Sequence, residues 1–219
     1  MKKTGRYDTS GLIEDQYEPG SNKQVLKNLL GLRSEQEISR IETKKLLHTT
    51  KEMTEYYDEY HCFTADDICY MHRSWLGSIY EWAGHYRNVN MVKDDFPFAA
   101  PSLIPRLMDE FEKEILSRYT PCNFNARRDV IQALATVHTE LLLIHPFREG
   151  NGRIARLLSI IMALQAKLPY LDFSDLKGHK KEEYFSAVRA GLERNYTAME
   201  KIFNDVIERS LKSYDEGLT

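Results

Sequence analysis

A chain of 219 residues, 42% hydrophobic and 29% charged, has enough apolar surface for one substantial core. Its formal net charge of −3 argues against broad nucleic-acid or membrane-surface binding. Cys62, Cys69 and Cys122 show no paired spacing and no apolar leader follows Met1, so a reducing, cytoplasmic protein without a membrane span is expected.

Residues 1–23 are polar and hold Gly5, Gly11, Gly20 and Pro19, the composition of an arm that wraps a body. Within it Ser10-Gly-Leu-Ile-Glu14 can form one turn capped by Ser10. Val25–Gly31 reads as a short amphipathic turn stopped by glycine. Ser34-Glu-Gln-Glu37 is a capping box opening a helix to about Tyr60. Thr64-Ala-Asp-Asp67 caps a second, in which Ile68, Met71, Leu76, Ile79 and Trp82 keep helical spacing until Ala83-Gly84.

Between Tyr86 and Ala99 the period shortens. Arg87–Val92 and Phe96–Ala99 flank Lys93-Asp94-Asp95, which predicts a β-hairpin. Pro97 cannot donate to a ladder, so the hairpin is expected at an edge or as an isolated flap, able to accept an extended partner segment. Leu103, Leu107, Phe111 and Ile115 mark a helix from Pro101 to Arg118. Val130, Leu134, Val137, Leu141 and Ile144 mark a buried one from Ala126, and Ile154, Leu157, Leu158, Ile161 and Leu164 the most buried of all. Two more follow, about Lys181–Arg194 and, behind Thr197-Ala-Met-Glu200, to about Ser213. The expected fold is all-α, a single domain over 34–213 with one small hairpin, preceded by an arm (1–33) and ended by a frayed tail (214–219).

Between the two buried helices lies His145-Pro-Phe-Arg-Glu-Gly-Asn-Gly-Arg-Ile154. Pro146 disfavours helix at His145, so the helix should stop there with its imidazole at the exit. Gly150 and Gly152 tolerate positive φ and let amides converge on an anion, and the dipole of the following helix points the same way. Arg153 and Arg156 add cations. Glu149 beside an anion site calls for a bridging cation, for which Mg²⁺ is suited. His145 can take a proton near neutral pH. Phe147 is expected as a core anchor. His138, two turns earlier, is expected to be a satisfied buried histidine, and His61, Cys62, Cys69 and His72 match no common zinc spacing.

His145-Pro-Phe-Arg-Glu-Gly-Asn-Gly-Arg-Ile-Ala-Arg156 resembles the Fic family signature His-x-Phe-x-Asp/Glu-Gly-Asn-Gly-Arg-x-x-Arg at every fixed position. Trp82-Ala-Gly-x-Tyr-Arg87 and Phe96-Pro-Phe-Ala99 resemble the family's helix end and flap, and the likeness covers roughly residues 60–210. The resemblance implies a protein adenylyltransferase that moves AMP from ATP to a Ser, Thr or Tyr hydroxyl of a target protein, with self-modification as a further outcome. It assigns His145 as general base, Glu149 to Mg²⁺, Asn151 to the α-phosphate and the amides around Gly150 and Gly152 to the anion hole. Arg153 would meet the outer phosphates, Arg156 the γ-phosphate or an inhibitory glutamate. The hairpin, with Val92, Lys93, Phe96 and Phe98, would clamp the target. Ser10-Gly-Leu-Ile-Glu14-Asp15 resembles the family's inhibitory pattern Ser/Thr-x-x-x-Glu-Gly/Asn except at Asp15, which implies a brake through a Glu14–Arg156 pair.

Other readings remain at this point. Doc-type relatives transfer a phosphate, but typically carry lysine where this chain has Gly152. A non-catalytic nucleotide-binding module would be expected to lose His145 or Glu149. A metal hydrolase is weakest, because only one carboxylate sits in the loop.

Overall fold

A computed structural model describes residues 11–176 and 179–217, so Ser10 lies outside the described residues. Its elements are α1 (Glu35–Tyr56), α2 (Ala65–Leu76), a hairpin of β1 (Val92–Lys93) and β2 (Phe96–Pro97), α3 (Ile104–Phe111), α4 (Ser117–Tyr119), α5 (Arg127–Ile144), α6 (Asn151–Gln165), α7 (His179–Ala190) and α8 (Thr197–Gly217). A π-helical stretch, Glu112–Leu116, joins α3 to α4. The all-α expectation with one hairpin holds.

The helix starts follow local chemistry. Ser34 accepts the Glu37 N–H, and Thr64 and Asp67 form a reciprocal capping box. Three expectations need correction. The second helix stops at Leu76, not at Ala83-Gly84: the Gly77 N–H closes onto the Arg73 carbonyl, and residues 77–84 fold into turns that still bury Ile79 and Trp82. Val25–Gly31 is not helical. Tyr17 bridges Leu26 in antiparallel fashion, and the Asn28 side chain holds the next turn by bonding the Leu26 and Leu32 carbonyls and the Leu30 and Leu32 amides. The last helix runs on to Gly217, past the expected end near Ser213.

The core centres on α5 and α6, whose Leu134, Leu141, Ile154, Leu157 and Leu158 are all but inaccessible to solvent. Each such side chain contributes roughly 1.5–3 kcal/mol by leaving water. Helices α1 and α2 pack on α6, and α7 and α8 on α5. The connection between α5 and α6 therefore emerges from the best-buried part of the molecule, the support that a site built on a loop needs.

The hairpin is minimal: Val92 pairs Pro97 and Lys93 pairs Phe96, with Asp94 and Asp95 both at positive φ in the tight turn. Among the described residues it has no sheet behind it.

Candidate active site

His145 caps α5 in the left-handed region, at φ 53° and ψ 59°, and its N–H still reaches the Leu141 carbonyl. The ring Nδ1 lies 3.2 Å from the Leu142 carbonyl. A carbonyl only accepts, so the proton sits on Nδ1 and Nε2 keeps its lone pair. Burial pushes the imidazole pKa down to about 4, so it is a neutral proton acceptor throughout the neutral range. Phe98 lies flat on this ring, centroids 3.7 Å apart.

The loop after His145 is held from inside. Phe147 is fully buried and stacks on His72 at 3.9 Å. His72 accepts the Gly84 N–H at Nδ1 and must therefore donate from Nε2 to the Glu149 carbonyl, 3.0 Å away. Both ends of the Asn151 amide bond Phe147, Oδ1 accepting the N–H at 2.8 Å and Nδ2 donating to the carbonyl at 2.7 Å. It closes the loop from within.

Of the two glycines, only Gly150 has positive φ, 86°, and a Cβ there would lie 2.5 Å from Cζ3 of Trp75. Gly152 is already helical. Asn151 and Gly152 are the first residues of α6, so their amides have no carbonyl within the helix and make an anion cradle with its dipole. The Gly150 amide instead donates to Oε1 of Glu149.

The charges are divided differently from expectation. Arg153 is already engaged, with Nη1 on Oε2 of Glu42 at 2.7 Å, Nη2 on Oε1 of Glu149 at 3.1 Å and its guanidinium 4.4 Å from the Trp75 ring. Arg156 lines the same cavity and makes no hydrogen bond or ion pair among the described residues. Glu149 is exposed, and its Oε2 has no partner among them. No cluster of three potential metal ligands occurs among the described residues. One free carboxylate oxygen beside an anion cradle nevertheless suits Mg²⁺, which is commonly held by one carboxylate plus phosphates.

The expected Glu14–Arg156 pair is absent. Glu14 sits in a 3₁₀ turn, Ile13–Asp15, with its carboxylate buried on the Asn88 N–H at 2.7 Å and its carbonyl accepting from Arg148 Nε at 2.8 Å. The arm braces the loop at this point.

His145, Glu149, Gly150, Asn151, Gly152, Arg153 and Arg156 line one cavity of about 460 Å³, closed above by Val92, Lys93, Phe96 and Phe98 and at the side by Tyr184 and Phe185 of α7. Residues 62–163 match the Fic/DOC family. The match takes in the whole motif from His145 to Arg156 and just under half of the chain. The chain is 31% identical over 138 residues to the protein adenylyltransferase VbhT of Bartonella schoenbuchensis, covering 60% of this chain and 27% of VbhT. It is 28% identical over 148 residues to the probable protein adenylyltransferase Fic of Escherichia coli, covering 65% of this chain and 69% of that protein. The chain thus spans under a third of VbhT and, at 29%, of the Nematostella vectensis adenylyltransferase Fic. The crystal structure of BepC from Bartonella tribocorum with bound AMPPNP superposes with a TM-score of 0.69 over 88% of this chain and 96% of that one, at 21% identity, which shows a shared fold.

Sequence reasoning missed three supports of the Fic motif. Arg87 is buried and donates to the carbonyls of His145, Val89 and Ala99, tying both ends of the flap to the histidine. In the sequence His72 stands out only beside Cys69, at a spacing that matches no common zinc site. Glu42 lies more than a hundred residues before Arg153. Only Arg87 left a sequence signal, inside Trp82-Ala-Gly-x-Tyr-Arg87.

His138 is fully satisfied. Ser159 gives its proton to the Ala155 carbonyl and accepts from His138 Nδ1, so Nε2 accepts from the Tyr184 hydroxyl at 2.6 Å. Burial holds His72 near pKa 4 and His138 near 3, as it does His145. The unfolded chain, with histidines near 6.5, therefore takes up these protons first as pH falls. The stability they contribute is complete above about pH 6.5 and lost as pH drops through about 4. Urea midpoints should hold between pH 8 and 7 and fall steadily from pH 6.5 to 5. A flat profile over that lower interval would contradict neutral burial.

Proposed function

We propose that this chain is a protein adenylyltransferase, transferring AMP from ATP to a Ser, Thr or Tyr hydroxyl of a target protein. The observation that carries the reading is the neutral His145 imidazole, with Nε2 unprotonated, lining the same cavity as the α6 amide cradle and the Arg156 guanidinium. The names of VbhT and of the Escherichia coli relative support the same activity, as does the AMPPNP bound to BepC.

In this reading the amides of Asn151 and Gly152 and the guanidinium of Arg156 receive the polyphosphate, and the apolar wall of Tyr184, Phe185 and Val188 faces the rest of the nucleotide. Glu149 would hold a Mg²⁺, which supplies positive charge to the phosphates. His145 Nε2 accepts the target hydroxyl's proton as its oxygen bonds the α-phosphorus and pyrophosphate leaves. The target runs beside the flap as an extended segment, with main-chain groups paired to the hairpin's free edge. The three free cysteines suit a reducing compartment. Among the described residues no helix is long and apolar enough to cross a membrane.

The test uses ATP labelled on the α- or, separately, the γ-phosphate, with Mg²⁺ and cell extract. Protein-bound label is expected from the α-position only, with loss of at least about a hundredfold in His145→Ala. Label from the γ-position alone would establish the Doc-type reaction, which Gly152 disfavours. Nucleotide binding without any transfer would establish a binding module.

A further inference from the structure

We propose that Glu42 is a positioning residue of this site: it neutralises Arg153 from behind and so leaves Glu149 its negative charge for a divalent cation. The inference rests on the adenylyl-transfer reading only for the identity of the ligand, Mg²⁺ with ATP.

Glu42 sits mid-way along α1 and is about nine-tenths buried, which is costly for a carboxylate unless both oxygens are satisfied. Oε1 accepts from the Tyr80 hydroxyl at 2.7 Å and Oε2 from Arg153 Nη1 at 2.7 Å. The backbone carbonyl of the same residue accepts Trp75 Nε1 at 2.8 Å. Trp75 in turn carries the Arg153 guanidinium on its ring and has its edge against Gly150. One residue of α1 thus fixes both the cation and the surface on which the cation lies.

The charges follow from this geometry. Glu42, Arg153 and Glu149 together carry one net negative charge, and the exposed end of the chain of contacts is Glu149. Remove the charge of Glu42 and the sum becomes zero. The Arg153 fork, released on one side, then has Glu149 as its remaining carboxylate and competes with any metal for it. A buried ion pair far from the cavity would have no such consequence.

The experiment is calorimetric binding of a nonhydrolysable ATP analogue with and without Mg²⁺, which requires no turnover. The quantity read is the ratio of the two dissociation constants, metal-free over metal-loaded. Glu42→Gln should shrink this ratio by at least about tenfold. Adding Arg153→Gln to that variant restores the net negative charge and should restore the ratio, which loss of packing alone would not do. Glu42→Asp should keep it. An unchanged ratio in Glu42→Gln, or no restoration in the double variant, would overturn the proposal. Should Glu42→Gln fail to melt cooperatively, Arg153→Gln alone decides, because two uncompensated carboxylates should make Mg²⁺ matter more than in the parent. An equal or smaller ratio there would also overturn it. Failure of adenylyl transfer appears separately, as absence of α-label in the parent protein.

Discussion

Gly150→Ala is expected to lower the thermal midpoint by roughly 5–15 °C and to reduce transfer at least about tenfold. Two costs combine. Alanine at φ 86° is strained by roughly 1–2 kcal/mol. Its methyl group would also stand 2.5 Å from Cζ3 and 3.0 Å from Cη2 of Trp75, a fully buried ring pinned by its bond to the Glu42 carbonyl. Relieving that overlap costs roughly 1–3 kcal/mol more and shifts either the ring or the start of α6. Gly152→Ala is the control. Gly152 is helical and the nearest atom to a new Cβ is Arg156 Nη2 at 3.8 Å, so its midpoint should stay within a few degrees. Differential scanning calorimetry on both variants checks this, and equal midpoints would refute the steric account.

Arg87→Met should be the most damaging single change outside the motif. It removes one buried cation and strands the carbonyls of His145, Val89 and Ala99, for an expected loss of roughly 3–5 kcal/mol. Arg87→Lys keeps the charge but cannot serve three diverging acceptors, and should recover only part of that loss. Because one acceptor belongs to the proton-accepting histidine and another to the base of the flap, kcat should fall further than ATP affinity does. Urea denaturation with single-turnover transfer measures both. A full recovery by lysine would show that charge alone matters at this position.

The motif was legible because its chemistry is local: twelve consecutive residues hold the histidine, the acid, the amides and the two arginines. The apolar stripes of α5 and α6 were equally plain, since one helix face repeats every three or four residues. What could not be read depends on contacts between distant segments. Glu42 looks like any charged residue of an amphipathic helix until Arg153 is placed against it, and nothing in the spacing of the motif shows that the Asn151 amide bonds Phe147. Glu14 fits a short inhibitory pattern, yet its bond from the Asn88 amide holds it elsewhere. The end of α2 was misplaced for a related reason: Ile79 and Trp82 are buried in turns, and burial imitates helical spacing.

The Phe98 ring covers one face of the His145 imidazole. A lone pair on Nε2 lies in the ring plane, so the covered face never takes part in proton transfer, while the edge does. A hydroxyl must therefore arrive edge-on, in the plane of the imidazole itself, which the Phe98 ring overlies with a tilt of 20°. The flap thus acts on the stereochemistry of approach: it admits an oxygen presented in that plane and turns away one presented above it, whatever side chain carries it.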